Sequence, residues 1–329
     1  MQRENLPWIE KYRPRNVDEV AHQDEVVRML KKSMETGNLP HLLFYGPPGT
    51  GKTSTVLAIA KQLYGPQMYK NRVLELNASD ERGINIVRTK IKDFASAAVS
   101  SQQTGGYPCP PYKIIVLDEA DAMTHDAQTA LRRTMEIYAK VTRFCIICNY
   151  ISRIIQPLSS RCAKFRFKPV GTEQMSDRLR YICGEEGIEC PDDAMEAVVK
   201  CSGGDMRKAI TFIQSSHQYG LDGVSAASVV ELASFVPEDA VDSLLTACKS
   251  KSFDVMQRCV TDLIAAGYPV AQILVQIHDK VIFGDLPDSD KGHVVEAIAV
   301  ADKCLSDGAD DYLQLINCTA VLMSVSGGC

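Results

Sequence analysis

Eight residues near the front of the chain decide its fold: Gly46-Pro47-Pro48-Gly49-Thr50-Gly51-Lys52-Thr53. Their spacing matches G-x-x-x-x-G-K-[ST] at each fixed position, a pattern whose glycines let the backbone approach phosphate oxygens closely. In that chemistry Lys52 reaches the β- and γ-phosphates, and the Thr53 hydroxyl binds Mg²⁺. The stretch therefore predicts a site for ATP and Mg²⁺, and we include the next residue, Ser54, in the nucleotide-binding set.

The residues on either side of this loop predict strand, loop and helix, an order that directs the helix N-terminus at a bound phosphate. Residues 41–45 form an apolar run typical of a buried strand, and residues 53–63 are the small and apolar residues of a helix. A tight turn without a ligand is the plainer interpretation, and this context disfavours it. A dinucleotide site fits less well, because the order is G-x-x-G-x-G and a lysine in the loop favours a triphosphate.

Two adjacent carboxylates, Asp118 and Glu119, follow the apolar run 114–117, which is typical of the centre of a parallel sheet. Open α/β sheets bind ligands at this end of their strands. We expect Asp118 to hold Mg²⁺ and Glu119 to orient or deprotonate the attacking water. A solvated acidic helix start is the alternative. Asn149 ends the next predicted strand, 143–148, and is a candidate contact for the γ-phosphate or the water.

The composition is that of a globular chain of two to three domains, with 329 residues of which 45% are hydrophobic and 23% charged. No run approaches the ~18 apolar residues of a membrane span, and residues 1–5 do not resemble a signal peptide, so no membrane partner is expected.

We interpret the 12 scattered cysteines as free thiols. Cys145 and Cys148 form a C-x-x-C in an apolar run, where residues three apart on a strand face opposite ways, which disfavours zinc.

Charge is divided unevenly along the chain. Residues 1–169 carry 25 Lys and Arg against 16 Asp and Glu, and residues 170–329 carry 11 against 25. This asymmetry favours a front half that faces a polyanion, although ordinary variation between domains is the alternative.

The rest of the chain predicts mostly helices. Two prolines in residues 7–14 predict an extended segment that packs Trp8 and Tyr12 against the domain. Further helices are expected at 24–35, 84–98 and 126–138, and a strand at 72–76. We also expect a mobile loop at 100–112 and a linker near 169–173. Short helices are expected over 172–230, and helices separated by three breaks from 237 onwards.

Six motifs in order make the chain resemble a small subunit of the replication factor C clamp loader, in the AAA+ ATPase superfamily. They are P-W-I-E-K-Y-R-P at 7–14, the loop 46–53, E-L-N-A-S-D at 75–80, D-E-A-D at 118–121, S-R-C at 160–162 and G-D-M-R-K at 204–208. The run 144–150, with S-R-C after it, is most similar to the small subunit called 5 in animals and 3 in budding yeast. The resemblance implies an α/β fold: an AAA+ P-loop core with a parallel sheet flanked by helices (1–169), a small helical lid domain (170–234) and an all-α C-terminal collar domain (235–329).

The resemblance also implies roles for individual residues. Ile9 and Arg13 match positions that line the adenine and phosphate pocket. Asn149 matches sensor 1, and Arg207 matches sensor 2, an arginine of the lid that closes over the γ-phosphate. Arg161 matches the arginine finger, which enters the ATP site of the neighbouring subunit and completes hydrolysis there.

The partners implied are four other replication factor C subunits in a heteropentamer, a sliding clamp of the proliferating cell nuclear antigen type, and primer-template DNA, all in the nucleus. Arg82, just before the helix predicted from residue 84, and Arg88 and Lys92 on that helix are candidates for contacts with DNA phosphates. A solvated helix face is the alternative for each of them. The segment 100–112 faces the clamp in the family and is more polar here than in close relatives.

Two other functions remain open at this point. One is a different AAA+ machine, such as a branch-migration helicase or a protein unfoldase, against which residues 7–14 and S-R-C at 160–162 argue. The other is a ring spacer that binds nucleotide without hydrolysis, against which the intact Lys52, Thr53, Asp118 and Glu119 argue.

Overall fold

A computed structural model describes residues 6–14, 16, 19, 24–78, 87–97, 106–219, 224–233 and 235–325. The chain forms two compact units, Met1–Val224 and Ser225–Cys329. The predicted three-domain boundaries at 169/170 and 234/235 stay predictions.

A parallel sheet lies at the centre of the first unit, with strand order β2-β3-β4-β1-β5 among the described residues. The strands are β1 (Leu42–Tyr45), β2 (Val73–Asn77), β3 (Lys113–Asp118), β4 (Thr142–Cys148) and β5 (Ala163–Arg166). The continuous apolar runs that predict β1, β3 and β4 are explained by helices on both faces of the sheet. The expected α/β fold with a parallel sheet flanked by helices is confirmed.

Alternate residues of β1 show how the two faces are filled. Phe44 packs in a core with Ile59 and Leu63 of the helix that follows the phosphate-type loop. Leu43 points the other way, into a core with Leu131. All of these side chains are at most 1% exposed, so β1 is held rigidly between two apolar layers.

The helices of the first unit surround this sheet or follow it. They are α1 (Trp8–Lys11), α2 (Asp24–Glu35), α3 (Lys52–Arg72), α4 (Lys92–Ser96, directly after a π-helical turn at Val87–Ile91), α5 (His125–Tyr138), α6 (Gln156–Ser159), α7 (Thr172–Glu186), α8 (Asp192–Ser202) and α9 (Met206–Tyr219).

Two local predictions are wrong, and one strand has no prediction. Residues 8–11 form a helical turn rather than an extended segment, because Pro7 fits the residue before a helix and its carbonyl accepts from the Glu10 and Lys11 N–H groups. Helix α3 continues past residue 63 to Arg72, across a non-helical Gly65 that precedes Pro66. Strand β5 was not predicted, since only two of its four residues are apolar. The expected N-terminal part of the helix 84–98 lies outside the described residues.

The second unit is helical throughout its described part. Its helices are α10 (Ala226–Leu232), α11 (Glu238–Lys249), α12 (Phe253–Ala265), α13 (Val270–Phe283), α14 (Asp288–Ser306) and α15 (Asp311–Val325). The apolar faces of α11 to α15 share one core that includes Leu244, Ile273 and Leu315. The three predicted breaks fall where α12, α13 and α14 end. In the described ranges, no helix is both long and apolar enough to cross a membrane.

Candidate nucleotide-binding site

The site lies where the carboxyl ends of three neighbouring strands meet. Strand β1 leads into the glycine-rich loop 46–53, β3 ends at Asp118, and Asn149 follows β4. Because β1, β4 and β3 are adjacent and parallel, these three segments come together although they are far apart in sequence.

Lys52 connects the loop to the end of β4. Its Nζ donates to the carbonyl oxygens of Gly46 at 2.8 Å and Pro47 at 2.7 Å, and to Asn149 Oδ1 at 3.0 Å. Burial lowers the pKa of Lys52 from its ordinary value; the Asp118 carboxylate opposes this shift and Arg207 adds to it. A buried ammonium with these neighbours favours a polyanionic ligand, whose charge would compensate the burial.

Thr53 and Asp118 form the part of the site that fits Mg²⁺. The Thr53 hydroxyl donates to Asp118 Oδ2 at 2.7 Å, which brings a hydroxyl and a carboxylate together at the start of α3. Hard oxygen ligands of this kind are those that Mg²⁺ prefers, usually with several waters and substrate phosphates. The residues present therefore fit the implied metal.

Glu119 and Asp121 occupy the turn after β3. Glu119 is exposed and has a left-handed backbone (φ 52°, ψ 39°), a conformation that costs a non-glycine residue about 1–2 kcal/mol. Its N–H donates to Asp118 Oδ1 at 2.9 Å. Asp121 Oδ2 accepts from the backbone N–H groups of Asn149 at 3.3 Å and Tyr150 at 3.2 Å, and so fixes the segment that carries the Asn149 side chain.

Two adjoining clefts share the loop and Arg207. We call the first the polar cleft; its walls combine the loop with the ends of β3 and β4, and include Lys52, Thr53, Asp118, Glu119, Asn149 and Arg207. We call the second the apolar cleft; it is formed by residues near the start of the chain, the loop and the helices α7 and α9, and includes Ile9, Arg13, Ser54, Val170, Arg178 and Ile210. The structure thus brings most of the predicted nucleotide-binding residues together around two adjoining clefts.

Two glycines of the loop are required by close contacts. Gly49 has φ +68°, and a Cβ there would lie 1.7 Å from Asp205 Oδ1, while the Gly49 carbonyl accepts from Met206 N–H at 3.3 Å. Asp205 also caps α9, since its Oδ1 accepts from the Arg207 N–H at 2.8 Å. At Gly46 (φ +141°) a Cβ would lie 2.2 Å from the Phe167 carbonyl oxygen. Gly46 and Pro47 do not line either cleft.

The remaining predicted site residues lie elsewhere. Arg161 is outside both clefts and forms an ion pair with Glu136 of α5, and its Nη1 donates to the Pro157 carbonyl at 2.5 Å. Lys92 is exposed at the first position of α4. Arg82 and the side chain of Arg88 lie outside the described part of the chain.

Sequence reasoning missed several residues of the site. Tyr12, Pro14, Val170, Arg178, Met206 and Ile210 line the apolar cleft, and Asp121 supports Asn149. Tyr12 and Pro14 belong to the proline-bracketed segment, which was a usable signal. Met206 and Asp121 lie in the G-D-M-R-K and D-E-A-D motifs, which were further signals. Val170, Arg178 and Ile210 come from the turn before α7, from α7 and from α9, and no local motif marks them.

The cysteines near the site are thiols. Cys145 and Cys148 are buried in β4, and burial raises the pKa of Cys148 to about 12, so its thiol stays protonated at neutral pH. No group of three or more His, Cys, Asp and Glu side chains placed to hold a metal occurs among the described residues.

Three family models match the chain over separate ranges. Residues 42–170 match "ATPase family associated with various cellular activities (AAA)", residues 177–216 match "RCF1/5-like, AAA+ ATPase lid domain", and residues 236–321 match "Replication factor C C-terminal domain". Among solved structures, the Thermotoga maritima RuvB branch-migration motor has a TM-score of 0.53 at 17% identity, and covers 80% of this chain and 91% of its own. That likeness concerns the fold alone.

Relatives of high identity extend over nearly the whole chain. Replication factor C subunit 2 of Oryza sativa is 59% identical, over 94% of this chain and 92% of its own length. Subunit 4 of Homo sapiens is 52% identical (98% and 90%), and subunit 2 of Saccharomyces cerevisiae is 50% identical (94% and 91%). The expected similarity to the subunit called 5 in animals and 3 in budding yeast is not supported, because these relatives are named subunit 2 or 4. The chain belongs to the replication factor C small-subunit family of AAA+ ATPases.

Proposed function

We propose that this chain binds ATP and Mg²⁺ in the two clefts and hydrolyses ATP as one subunit of a clamp loader that places a sliding clamp on primer-template DNA. Its family makes it an ATPase subunit of the kind that acts in DNA replication. The observation that supports the nucleotide site best is the convergence of Lys52, Asn149, Thr53 and Asp118 at adjacent strand ends.

Each polar side chain has a role that follows from its position. Lys52 neutralises charge on the β- and γ-phosphates, and Asn149, held beside it, reaches the γ-phosphate or the attacking water. Thr53 and Asp118 hold Mg²⁺, which neutralises charge that develops on the phosphate oxygens. Glu119 orients or deprotonates the water.

Arg207 lines both clefts from the first turn of α9, next to the Asp205 cap. This position supports a sensor 2 role for Arg207, between the base and phosphate parts of a bound nucleotide. The Met206 N–H also donates to the Gly49 carbonyl at 3.3 Å, which links the loop directly to the helix that carries Arg207.

Arg161 acts on the ATP of a neighbouring subunit rather than on this chain's own nucleotide. Its guanidinium lies outside both clefts and is half-exposed beside Glu136. A guanidinium supplied by a partner can accelerate phosphoryl transfer by roughly 10³–10⁵, so hydrolysis depends on assembly.

The complex is a nuclear heteropentamer with four other replication factor C subunits, and residues 235–329 form the collar that joins them. Arg82, Arg88 and Lys92 contact DNA phosphates without reading the sequence. The exposure of Lys92 on α4 is compatible with that role. The division into residues 1–169, 170–234 and 235–329 is part of this proposal.

Substitution of Lys52 tests the nucleotide site. Lys52→Ala removes a charged donor to the phosphates, so ATP affinity should fall roughly tenfold to a hundredfold. Lys61→Ala is the matched control, because Lys61 is an exposed lysine of the same helix. Equilibrium binding of a fluorescent ATP analogue with Mg²⁺ measures both. Unchanged affinity in Lys52→Ala would refute the assignment of the loop.

A further inference from the structure

The segment at residues 6–14 is attached to α7 and α9. The indole of Trp8, 8% exposed, stacks on His217 with ring centroids 6.1 Å apart, and the backbone N–H of Trp8 donates to Gln214 Oε1 at 3.2 Å. Arg178 Nη2 of α7 donates to the Tyr12 carbonyl at 2.8 Å. The segment therefore contacts the two helices at several points.

Glu186, the last residue of α7, makes the most concentrated of these attachments. Its Oε1 accepts from Lys11 Nζ at 2.6 Å and from the Tyr12 hydroxyl at 2.5 Å. Burial disfavours the charged carboxylate, but the hydrogen bonds from Lys11 and Tyr12 outweigh it and lower the pKa of Glu186. The hydrogen bond to Glu186 also raises the pKa of Lys11. Glu186 and Lys11 are thus both charged at neutral pH, and neither side chain lines the polar cleft or the apolar cleft.

These contacts flank the residues that form one wall of the apolar cleft. Ile9 and Arg13 lie in that wall, one on each side of the Lys11–Tyr12 pair. Glu186 and Lys11 do not line the cleft themselves. Without the attachment, the wall would be a nine-residue stretch held by Trp8, by Arg178 and by the edge-to-face contact of Tyr12 with Tyr181, and a ligand would have to complete its ordering on binding.

We propose that Glu186 is a positioning residue for the base and ribose of the bound nucleoside triphosphate: by holding Lys11 and Tyr12 it keeps the Ile9–Arg13 wall in its binding position. This inference depends on the proposed nucleotide site. It separates the site into two parts, with the phosphates held by the loop, Mg²⁺ held by Thr53 and Asp118, and the base held by a segment that is attached to α7.

A comparison of two ligands tests the proposal in the full-length chain. ATP uses both clefts, whereas inorganic tripolyphosphate has no base and uses only the polar cleft. In Glu186→Ala the dissociation constant for ATP should rise roughly three- to tenfold, because the ligand must now order the wall. Tripolyphosphate binding is measured by its displacement of a fluorescent ATP analogue. Its inhibition constant, corrected for the affinity of the analogue, should be the same in Glu186→Ala as in the unmodified chain. Glu185→Ala, an exposed neighbour on the same helix end, is the control and should alter neither value.

If Glu186→Ala does not fold, variants that reverse the charges of Lys11 and Glu186 provide a second test. Lys11→Glu and Glu186→Lys should each weaken ATP binding, and the double variant should recover most of the loss, since the pair is then re-formed with opposite signs. Unchanged ATP affinity in all single variants, or an equal loss for ATP and tripolyphosphate, would overturn the proposal. If the unmodified chain binds neither ligand, the nucleotide site itself is refuted.

Discussion

At the scale of single residues, His41 shows how burial alters an ionisable group at the start of β1. Its Nδ1 accepts from the Phe144 N–H at 3.1 Å, and the two rings meet edge to face with centroids 5.6 Å apart. Burial lowers the pKa of His41 to about 4, and the nearby Arg143 charge adds to the shift. His41 is therefore a neutral acceptor that joins β1 to β4 at physiological pH.

Acidification should weaken the fold through His41. In the unfolded chain a histidine has a pKa near 6.5, so between about pH 6.5 and pH 4 the unfolded state binds more protons and the free energy of unfolding falls as the pH falls. His41→Asn keeps an acceptor for the Phe144 N–H and removes the titration. Urea unfolding at several pH values should show a smaller loss in the variant than in the unmodified chain. Parallel curves across this pH range would contradict the assignment.

The polar cleft was predictable from single residues because its chemistry is local. Lys52 and Thr53 sit at fixed places in a phosphate-binding pattern, and Asp118 and Asn149 each follow an apolar strand whose end could be read from the sequence. Most of the apolar cleft was not predictable in this way. Arg178 and Ile210 meet Ile9 only through contacts between distant parts of the chain, and no spacing rule reports such contacts.

At the scale of elements, prediction succeeded where one pattern filled a whole segment. The helix α2 was expected with the bounds it has, and the apolar runs gave β1, β3 and β4 to within a residue or two. Elements that depend on their surroundings were missed. Strand β5, for example, alternates half-buried Ala163 and Phe165 with exposed residues and exists because its backbone pairs with β1.

The short helix α4 depends on a lysine from the sheet. Lys113 is 3% exposed, its Nζ donates to the carbonyl of Phe94 at 2.7 Å and to that of Ala97, and it lies over the Phe94 ring. A cation at a helix C-terminus satisfies carbonyls that have no partner within the helix.

Lys113→Met should loosen the end of this helix. The substitution keeps the apolar stem and removes the ammonium, which leaves two carbonyls without their donor at a cost of about 1–3 kcal/mol. Amide hydrogen exchange over residues 91–97 should accelerate, while exchange in β1 should not. Lys140→Met, at an exposed position, serves as control. Protection that persists in Lys113→Met would show that the helix end is held by other contacts.

At the scale of the whole molecule, the separation of Arg161 from the chain's own clefts predicts a division of labour between subunits. Arg161→Ala should leave ATP binding by the isolated chain unchanged, since Arg161 pairs with Glu136 and lines neither cleft. In the reconstituted complex the same variant should slow ATP hydrolysis by at least roughly tenfold at the neighbouring site. Arg166→Ala, an exposed arginine of β5, is the control. Loss of ATP binding in isolated Arg161→Ala would refute the role in trans.

The position of β1 in the sheet has a consequence for the newly made protein. Strand β1 pairs with β4 and β5, which leave the ribosome only after roughly 100 further residues have been added, about 5–20 s at ordinary rates of translation. During that interval the sequence Leu-Leu-Phe-Tyr of β1 has neither of its pairing strands, and an apolar strand of this kind is prone to aggregate. The nascent polypeptide is therefore most open to aggregation early in synthesis, and the polar cleft forms only once β4 has emerged.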